Sequence, residues 1–387
     1  MERFAGSRSR PHVVIAGGGF AGLETLLALW VLGRKHVRAT LVAPQPTFLY
    51  RPAATAEAFE DVAPRAYDLT EIASDLGVAF ARARLVSVGS QKRYLRLSSG
   101  GRLSYDALVL ATGARPTASV AGALMFRDQR DVPAFRRLLG KIEDEMVTRV
   151  VFAVPVRRCW PLPLYELALL SATYTAQRHL GTKITLVTPE REPLEVFGAE
   201  PARLVGSVLA EHGVSFIGDS APEHVCDDGS LALRSGRRIE ADCVVAAPQL
   251  HGRPITGLPA DREGFVPADA GGRVHGLEHV YAAGDTTTFP VKQGGIAAQQ
   301  GDRVAQTILS AAGAPVLQRR VTTVLRARLI GGEEPLFLRA ELDEHGRATS
   351  ATLTRTDSAE NVVDNKVMAR YLTPYLEQIR STAAVGS

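Results

Sequence analysis

The spacing Gly17-x-Gly19-x-x-Gly22 constrains this chain more than any other feature. It follows His12–Ala16, which reads as a short buried strand, and opens a helical run from Phe20 to Val31. The first glycine permits a tight turn and the second lets backbone approach a pyrophosphate. The third lets helix and strand pack closely, and the helix start at Phe20 and Ala21 offers free N–H groups to an anion. A second strand is predicted at Val37–Val42. An acidic residue is expected at its end to hold ribose hydroxyls, but Ala43 stands there, with Gln45 or Thr47 as neutral substitutes.

With 387 residues there is room for two or three domains. A net charge of +4 with no Lys/Arg block excludes a nucleic-acid-binding arm. Cys159, Cys226 and Cys243 form no Cys-x-x-Cys pair, which excludes a zinc ribbon or dithiol motif, and the odd count suits a reducing, cytoplasmic setting. His275 and His279 lack partner cysteines and read as a surface turn, so no metal is expected. The apolar run Val13–Gly33 carries early glycines and Glu24 midway, which argues against a signal peptide or membrane span.

Two later stretches sharpen the reading. Tyr105–Pro116 is a buried strand ending in Ala111-Thr112-Gly113. His279–Ala305 holds a strand ending in Gly284-Asp285, a loop, and a helix from about Gly294. Together with the glycine turn these residues resemble the flavoproteins with two dinucleotide-binding domains, the pyridine nucleotide–disulfide oxidoreductase superfamily, over roughly residues 12–310. The resemblance implies an α/β fold of two Rossmann-like domains with a small α+β C-terminal segment, and FAD as cofactor. It divides the chain into an FAD-binding domain (1–117 and 249–312), a second Rossmann-like domain (118–248) and a C-terminal segment (313–387). Gly17, Gly19, Phe20, Ala21 and Gly22 would hold the pyrophosphate and Gln45 the ribose. Ala111, Thr112 and Gly113 would pass the flavin, and Asp285 after Gly284 would bind the ribityl chain. The helix at Gly294-Gly295 would aim its N-terminus at the flavin pyrimidine edge, where it stabilises an anion by ~0.3–2 kcal/mol. Lys292, just before that helix, is either a fixed positive charge on the flavin or an exposed loop lysine.

The second domain breaks the pattern. Val150–Val154 reads as its first strand, Leu164–Ala172 as its first helix and Lys183–Thr188 as its second strand. The turn between the first two has no glycine; it carries Pro155, Pro161 and Pro163, which lack N–H donors, and the bulk of Arg157, Arg158 and Trp160. It resembles the turn of sulfide:quinone oxidoreductases and flavocytochrome c sulfide dehydrogenases, which carry a cysteine and then Pro-x-Tyr-Glu, here Cys159 and Pro163–Glu166. That implies a cysteine over the flavin, and Glu166 also matches the glutamate that type II NADH dehydrogenases keep beside theirs as a proton relay. Those sulfide oxidases use a second cysteine after the Gly-Asp motif; this chain has none after Cys243.

From Gly313 the pattern changes. A hairpin is predicted around Asp343–Arg347, then an amphipathic helix over Lys366–Arg380, kinked at Pro374, that faces either the core or a second subunit in a homodimer, or makes a peripheral contact at the inner face of the cell membrane. The final Ser381–Ser387 reads as disordered. The leading expectation is an FAD-dependent oxidoreductase passing two electrons from an unidentified donor through the flavin to a quinone or another small or protein acceptor, with Cys159, Glu166 and Lys292 as catalytic candidates. One alternative is an NAD(P)H-dependent ferredoxin or quinone reductase built on Arg157, Arg158 and Glu190. Another is a flavin-bearing redox sensor or scaffold without turnover.

Overall fold

The computed structural model describes residues 10–60, 62–155, 159–316, 322–332, 334–354 and 366–385. The chain opens with β1 (His12–Ala16), α1 (Phe20–Gly33), β2 (Arg38–Ala43), α2 (Leu69–Asp75), β3 (Ala79–Arg82) and β4 (Ala107–Leu110). It crosses to β5 (Leu124–Met125), α3 (Val132–Glu143), β6 (Arg149–Ala153), α4 (Leu162–Gln177), β7 (Lys183–Val187), α5 (Ala199–Glu211), β8 (Val214–Ile217) and β9 (Cys243–Ala246). It returns with β10 (Val280–Ala282) and α6 (Gly294–Ala311), and ends with β11 (Thr323–Leu329), β12 (Leu336–Leu342), β13 (Ala348–Thr354) and α7 (Leu372–Val385).

Two five-stranded parallel sheets result, ordered β10-β4-β1-β2-β3 and β5-β9-β6-β7-β8. Every residue of β1 and β4 is buried, as strands covered on both faces require. In each sheet the winding reverses beside the first strand, between β1 and β4 and between β6 and β9. A crevice therefore opens at the C-terminal ends of both strand pairs, the place where such folds take ligands. The α/β class with two Rossmann-like sheets is the one the sequence implied.

Helices α1 and α6 pack against each other over one face of the first sheet. Small residues bring them close: Thr25 Oγ1 donates to Gly301 O at 3.1 Å, and a Cβ on Gly301 would lie 2.5 Å from Ala21 O.

The C-terminal segment differs from its sequence reading in three ways. The predicted hairpin is β12–β13, but β11 joins it in an antiparallel three-stranded sheet. This sheet leans on α4, α5 and α6, and Gln299 of α6 clasps Val324 through bonds of 2.7 and 2.9 Å. Lys366–Tyr371 is not helical; α7 begins at Leu372. Pro374 therefore falls in the first helical turn, where its missing N–H is no loss, and it is no mid-helix kink. The helix also runs on through Val385, into the stretch read as disordered. Leu372 and Leu376 of α7 are buried in the core of the first sheet, with Tyr371, Tyr375 and Ile379 packed against it. The apolar face of this helix is thus turned against the molecule's own core, which is the core-facing one of the sequence expectations. Among the described residues, no helix is long and apolar enough to cross a membrane.

Candidate active site

The first crevice is shaped by what its glycines lack. A Cβ on Gly17 (φ +130°) would lie 1.9 Å from Ala111 O, and one on Gly22 would lie 1.9 Å from Gly17 O. A Cβ on Gly19 would meet nothing within 4 Å, and α1 begins there without a side-chain cap. The start of α1 therefore faces open space with its first N–H groups. Across the crevice, Gly284 N donates to Gln300 Oε1 at 2.7 Å, and the Thr112 and Thr286 hydroxyls are 3.1 Å apart. Asp285 follows. Its carboxylate has no hydrogen-bond or ion-pair partner among the described residues; burial pushes its pKa up, while Lys292 and Arg51 pull it down. An unpartnered, half-buried carboxylate beside an uncapped helix start is the donor and acceptor set that a dinucleotide's hydroxyls and phosphates complete. Ala43 is buried at the end of β2, and Gln45 and Thr47 stand exposed just beyond it.

Lys292 is not an exposed loop lysine. It is 3% exposed, donates to Thr287 O, and its Nζ lies 4.1 Å from the Phe265 ring centroid. The start of α6 beside it is capped by Gln293, whose Oε1 accepts from Ile296 N at 3.0 Å. Gly294 is backed by Phe20 and Val367, each 3.1 Å from where its Cβ would be. His279 is buried as well, against the expectation of a surface turn, whereas His275 is exposed.

In the second crevice the acid after the second strand is engaged by side chains. Arg157 and Arg158 lie outside the described residues. Tyr165, fully buried on α4, donates its hydroxyl to Glu190 Oε2 at 2.7 Å, and Thr188 Oγ1 donates to the same oxygen at 3.0 Å. Leu194 N in turn donates to the Tyr165 hydroxyl at 3.2 Å. Burial pushes Glu190 up to about 7, against the pull of those two donors. The acid at the end of β7 is therefore engaged by protein groups where a nucleotide ribose would need it. Cys159 is half-buried, its Sγ 4.0 Å from Pro155 O, beside Trp160, which meets Phe197 edge-on at 6.1 Å. Burial and the charge of Glu190 both push its thiol up, the opposite of activation.

Between the crevices stands a cluster that sequence reasoning half found. Glu166, on α4 and 1% exposed, accepts at Oε2 from Lys366 Nζ at 2.7 Å and from Thr55 Oγ1 at 2.7 Å. Lys366 Nζ also donates to Thr55 Oγ1 at 2.7 Å, and Glu166 Oε1 is buried without a side-chain partner. Burial raises the Glu166 pKa; Lys366 opposes it most, then Thr55 and the backbone N–H of Ile330. The next residue, Val367, donates its N–H to the Tyr50 hydroxyl at 3.0 Å, and Tyr50 meets Phe20 at the start of α1 edge-on at 5.6 Å. The cluster thus lies where α4, the terminal segment and the starts of α1 and α6 converge. Lys366 and Thr55 were missed. The available signal was that Lys366 is one of only six lysines in the chain.

These features define a protein of two dinucleotide-type sheets, with a bare helix start in the first crevice and, in the second, an acid already held by side chains. Residues 11–150 and 168–307 match the model of the pyridine nucleotide-disulphide oxidoreductase family, and the chain belongs to that family. The unmatched 151–167 contains the proline-rich turn. The chain is 26% identical over 336 residues to the ferredoxin–NAD(+) reductase subunit of the benzene 1,2-dioxygenase system of Pseudomonas putida, covering 82% of this chain and 74% of that one. It is 25% identical over 296 residues to the sulfide-quinone reductase of Aquifex aeolicus (strain VF5), covering 73% and 63%. In fold it resembles the crystal structure of sulfide:quinone oxidoreductase from Aquifex aeolicus, with a TM-score of 0.77 at 18% identity over 96% of this chain and 90% of that one. The protein is an FAD-dependent oxidoreductase. FAD fits the first crevice, and when bound it supplies a carrier able to accept and release electron pairs.

Proposed function

We propose that this oxidoreductase passes two electrons to a quinone or comparable small acceptor, and that Glu166 with Lys366 relays the two accompanying protons, one after the other. The observation that carries the reading is the buried Glu166–Lys366–Thr55 cluster, with one glutamate oxygen left without a side-chain partner. Converting a quinone to a quinol consumes two electrons and two protons. In a site closed to water a side chain must deliver them, and a carboxyl with its pKa raised by burial is suited to that. Asp285 would bind the ribityl chain of FAD, and the glycine turn its pyrophosphate. Lys292 would place a fixed positive charge near the flavin and raise its potential. Cys159 belongs to the wall of this face, its thiol held protonated.

The donor in this reading is not a nicotinamide, because Tyr165 and Thr188 already occupy Glu190. A second reading, an NAD(P)H-dependent reductase, draws support from the Pseudomonas putida relative and from the place of Glu190 at the end of β7. Anaerobic addition of NADH and NADPH separates the two. A flavin spectrum that survives both, is bleached by sulfide or dithionite and is restored by a soluble quinone is the expected result. Bleaching by a nicotinamide within seconds overturns the first reading. Failure of every acceptor to restore the spectrum leaves a sensor without turnover.

A further inference from the structure

We propose that Glu24, on the dinucleotide helix α1, is the positioning residue that holds the terminal segment, and with it Lys366, in the active site. The proposal rests on the proton-handling role just given to Glu166 and Lys366.

Glu24 needs a reason to be where it is. It is 1% exposed in a helix otherwise built of apolar and small residues, and a carboxylate is seldom so buried without strong partners. Its partners come from the far end of the chain. Oε1 accepts from Tyr371 N at 3.0 Å and Oε2 from Leu372 N at 2.7 Å. These amides stand at the start of α7, where N–H groups have no partner within the helix. One carboxylate on α1 thus secures the first turn of the terminal helix.

The connection from there to Lys366 is short and stiff. Thr373 Oγ1 donates to Val367 O at 2.9 Å and accepts from Ala369 N at 2.9 Å, which ties the loop before α7 to its first turn. Val367 and Ala369 are buried, and Val367 N donates to the Tyr50 hydroxyl. A displacement of residues 371–372 is therefore passed along this loop to Lys366 and into its pair with Glu166. Further along α7, Leu376 is buried and Tyr375 donates to Asp75 Oδ2 at 2.7 Å. The helix body has its own anchors, so losing Glu24 frees the loop before the helix rather than the helix itself. Nearby charges do not substitute for Glu24: Asp302 on α6 carries the same sign and lies 3.7 Å from Arg370.

The test uses the FAD-loaded protein. Glu24→Leu removes both acceptors at nearly constant volume, and Glu24→Gln keeps one. Amide hydrogen exchange followed by mass spectrometry should show residues 367–373 exchanging at least about tenfold faster in Glu24→Leu, the loss expected when two bonds to a buried carboxyl go, with β1 and β6 unchanged. Glu24→Gln should fall between, and it serves as the primary variant if Glu24→Leu does not fold. In both, the pH profile of flavin reoxidation by a soluble quinone should move in the same direction as in Lys366→Met. Unchanged exchange at 367–373 overturns the proposal. So does faster exchange with a profile fixed at the parent's while Lys366→Met moves it. If Lys366→Met itself leaves the profile unmoved, the proton-handling reading is what fails, and the exchange data alone decide whether Glu24 holds the segment.

Discussion

At the end of β1 the chain turns through Gly17, Gly19 and Gly22; at the end of β6 it turns through Pro155, Cys159, Trp160, Pro161 and Pro163. The two sheets have the same winding and the same crevice position. In the first, absent side chains leave the start of α1 bare before open space. In the second, Pro163 removes a donor from the start of α4, and Tyr165 binds the acid at the end of β7. Topology sets where a crevice lies; local side chains decide whether a ligand or the protein occupies it.

The largest break in this comparison should come from Gly17→Ala. Its Cβ would collide with Ala111 O at a φ that alanine rarely adopts. The expected product is colourless or unfolded, read as the ratio of flavin to protein absorbance. Pro163→Gly in the second turn should cost only about 1 kcal/mol, keep the flavin and gain no nicotinamide affinity, because Glu190 stays occupied. Nicotinamide binding by that variant would mean the prolines alone close the second crevice.

Next in size is Lys366→Met, which strands Glu166 as a buried charge without its cation. Breaking such a pair costs about 3–5 kcal/mol, and replacing both partners costs far less. The denaturation midpoint should fall sharply in Lys366→Met and recover most of the way in the double variant with Glu166→Leu. Equal destabilisation in single and double variants would show that the pair is not coupled.

The first crevice could be read ahead of the structure because its chemistry is local. Turn, strand and helix lie within Val13–Gly33, and the glycine spacing reports the backbone directly. The residues of the candidate proton cluster are not local. Thr55, Glu166 and Lys366 meet from positions 111 to 311 residues apart, and pairing of that range leaves no periodicity behind. Glu24 was visible only as a charge interrupting an apolar run, and its partners are backbone amides, which no side-chain pattern reveals. In β11 a legible signal was overlooked: Leu325, Ala327 and Leu329 are the buried alternate residues, between Arg326 and Arg328.

A smaller effect should separate the crevices by pH. Glu190 titrates at about 7 when folded, above its ordinary value, so the folded state holds its proton more tightly than the unfolded chain does. The associated stability is complete below about pH 4.5 and is lost as pH rises through 7. Glu190→Gln keeps an acceptor for Tyr165 and Thr188 and removes that loss. Its stability relative to the parent should improve from pH 5 to pH 8, by at most about 3 kcal/mol. A difference that does not vary with pH would mean that Glu190 is not the buried acid of the second crevice.

The smallest effect is expected at Cys159. A thiol reacts as its thiolate, and burial with a neighbouring carboxylate keeps Cys159 in the unreactive form. Burial does the same to Cys243 on β9. Cys226 sits in a surface turn, where Gly229 N donates to its carbonyl. Iodoacetamide at pH 8 should therefore label Cys226 first, as read by peptide mass. Cys159→Ser should cost about 1–2 kcal/mol of stability and leave the rate of flavin reduction unchanged. If Cys159 is labelled first, or if its replacement slows reduction by any donor, the second turn is a reactive surface after all. The contrast between the crevices would then be between two working sites rather than between an open one and a filled one.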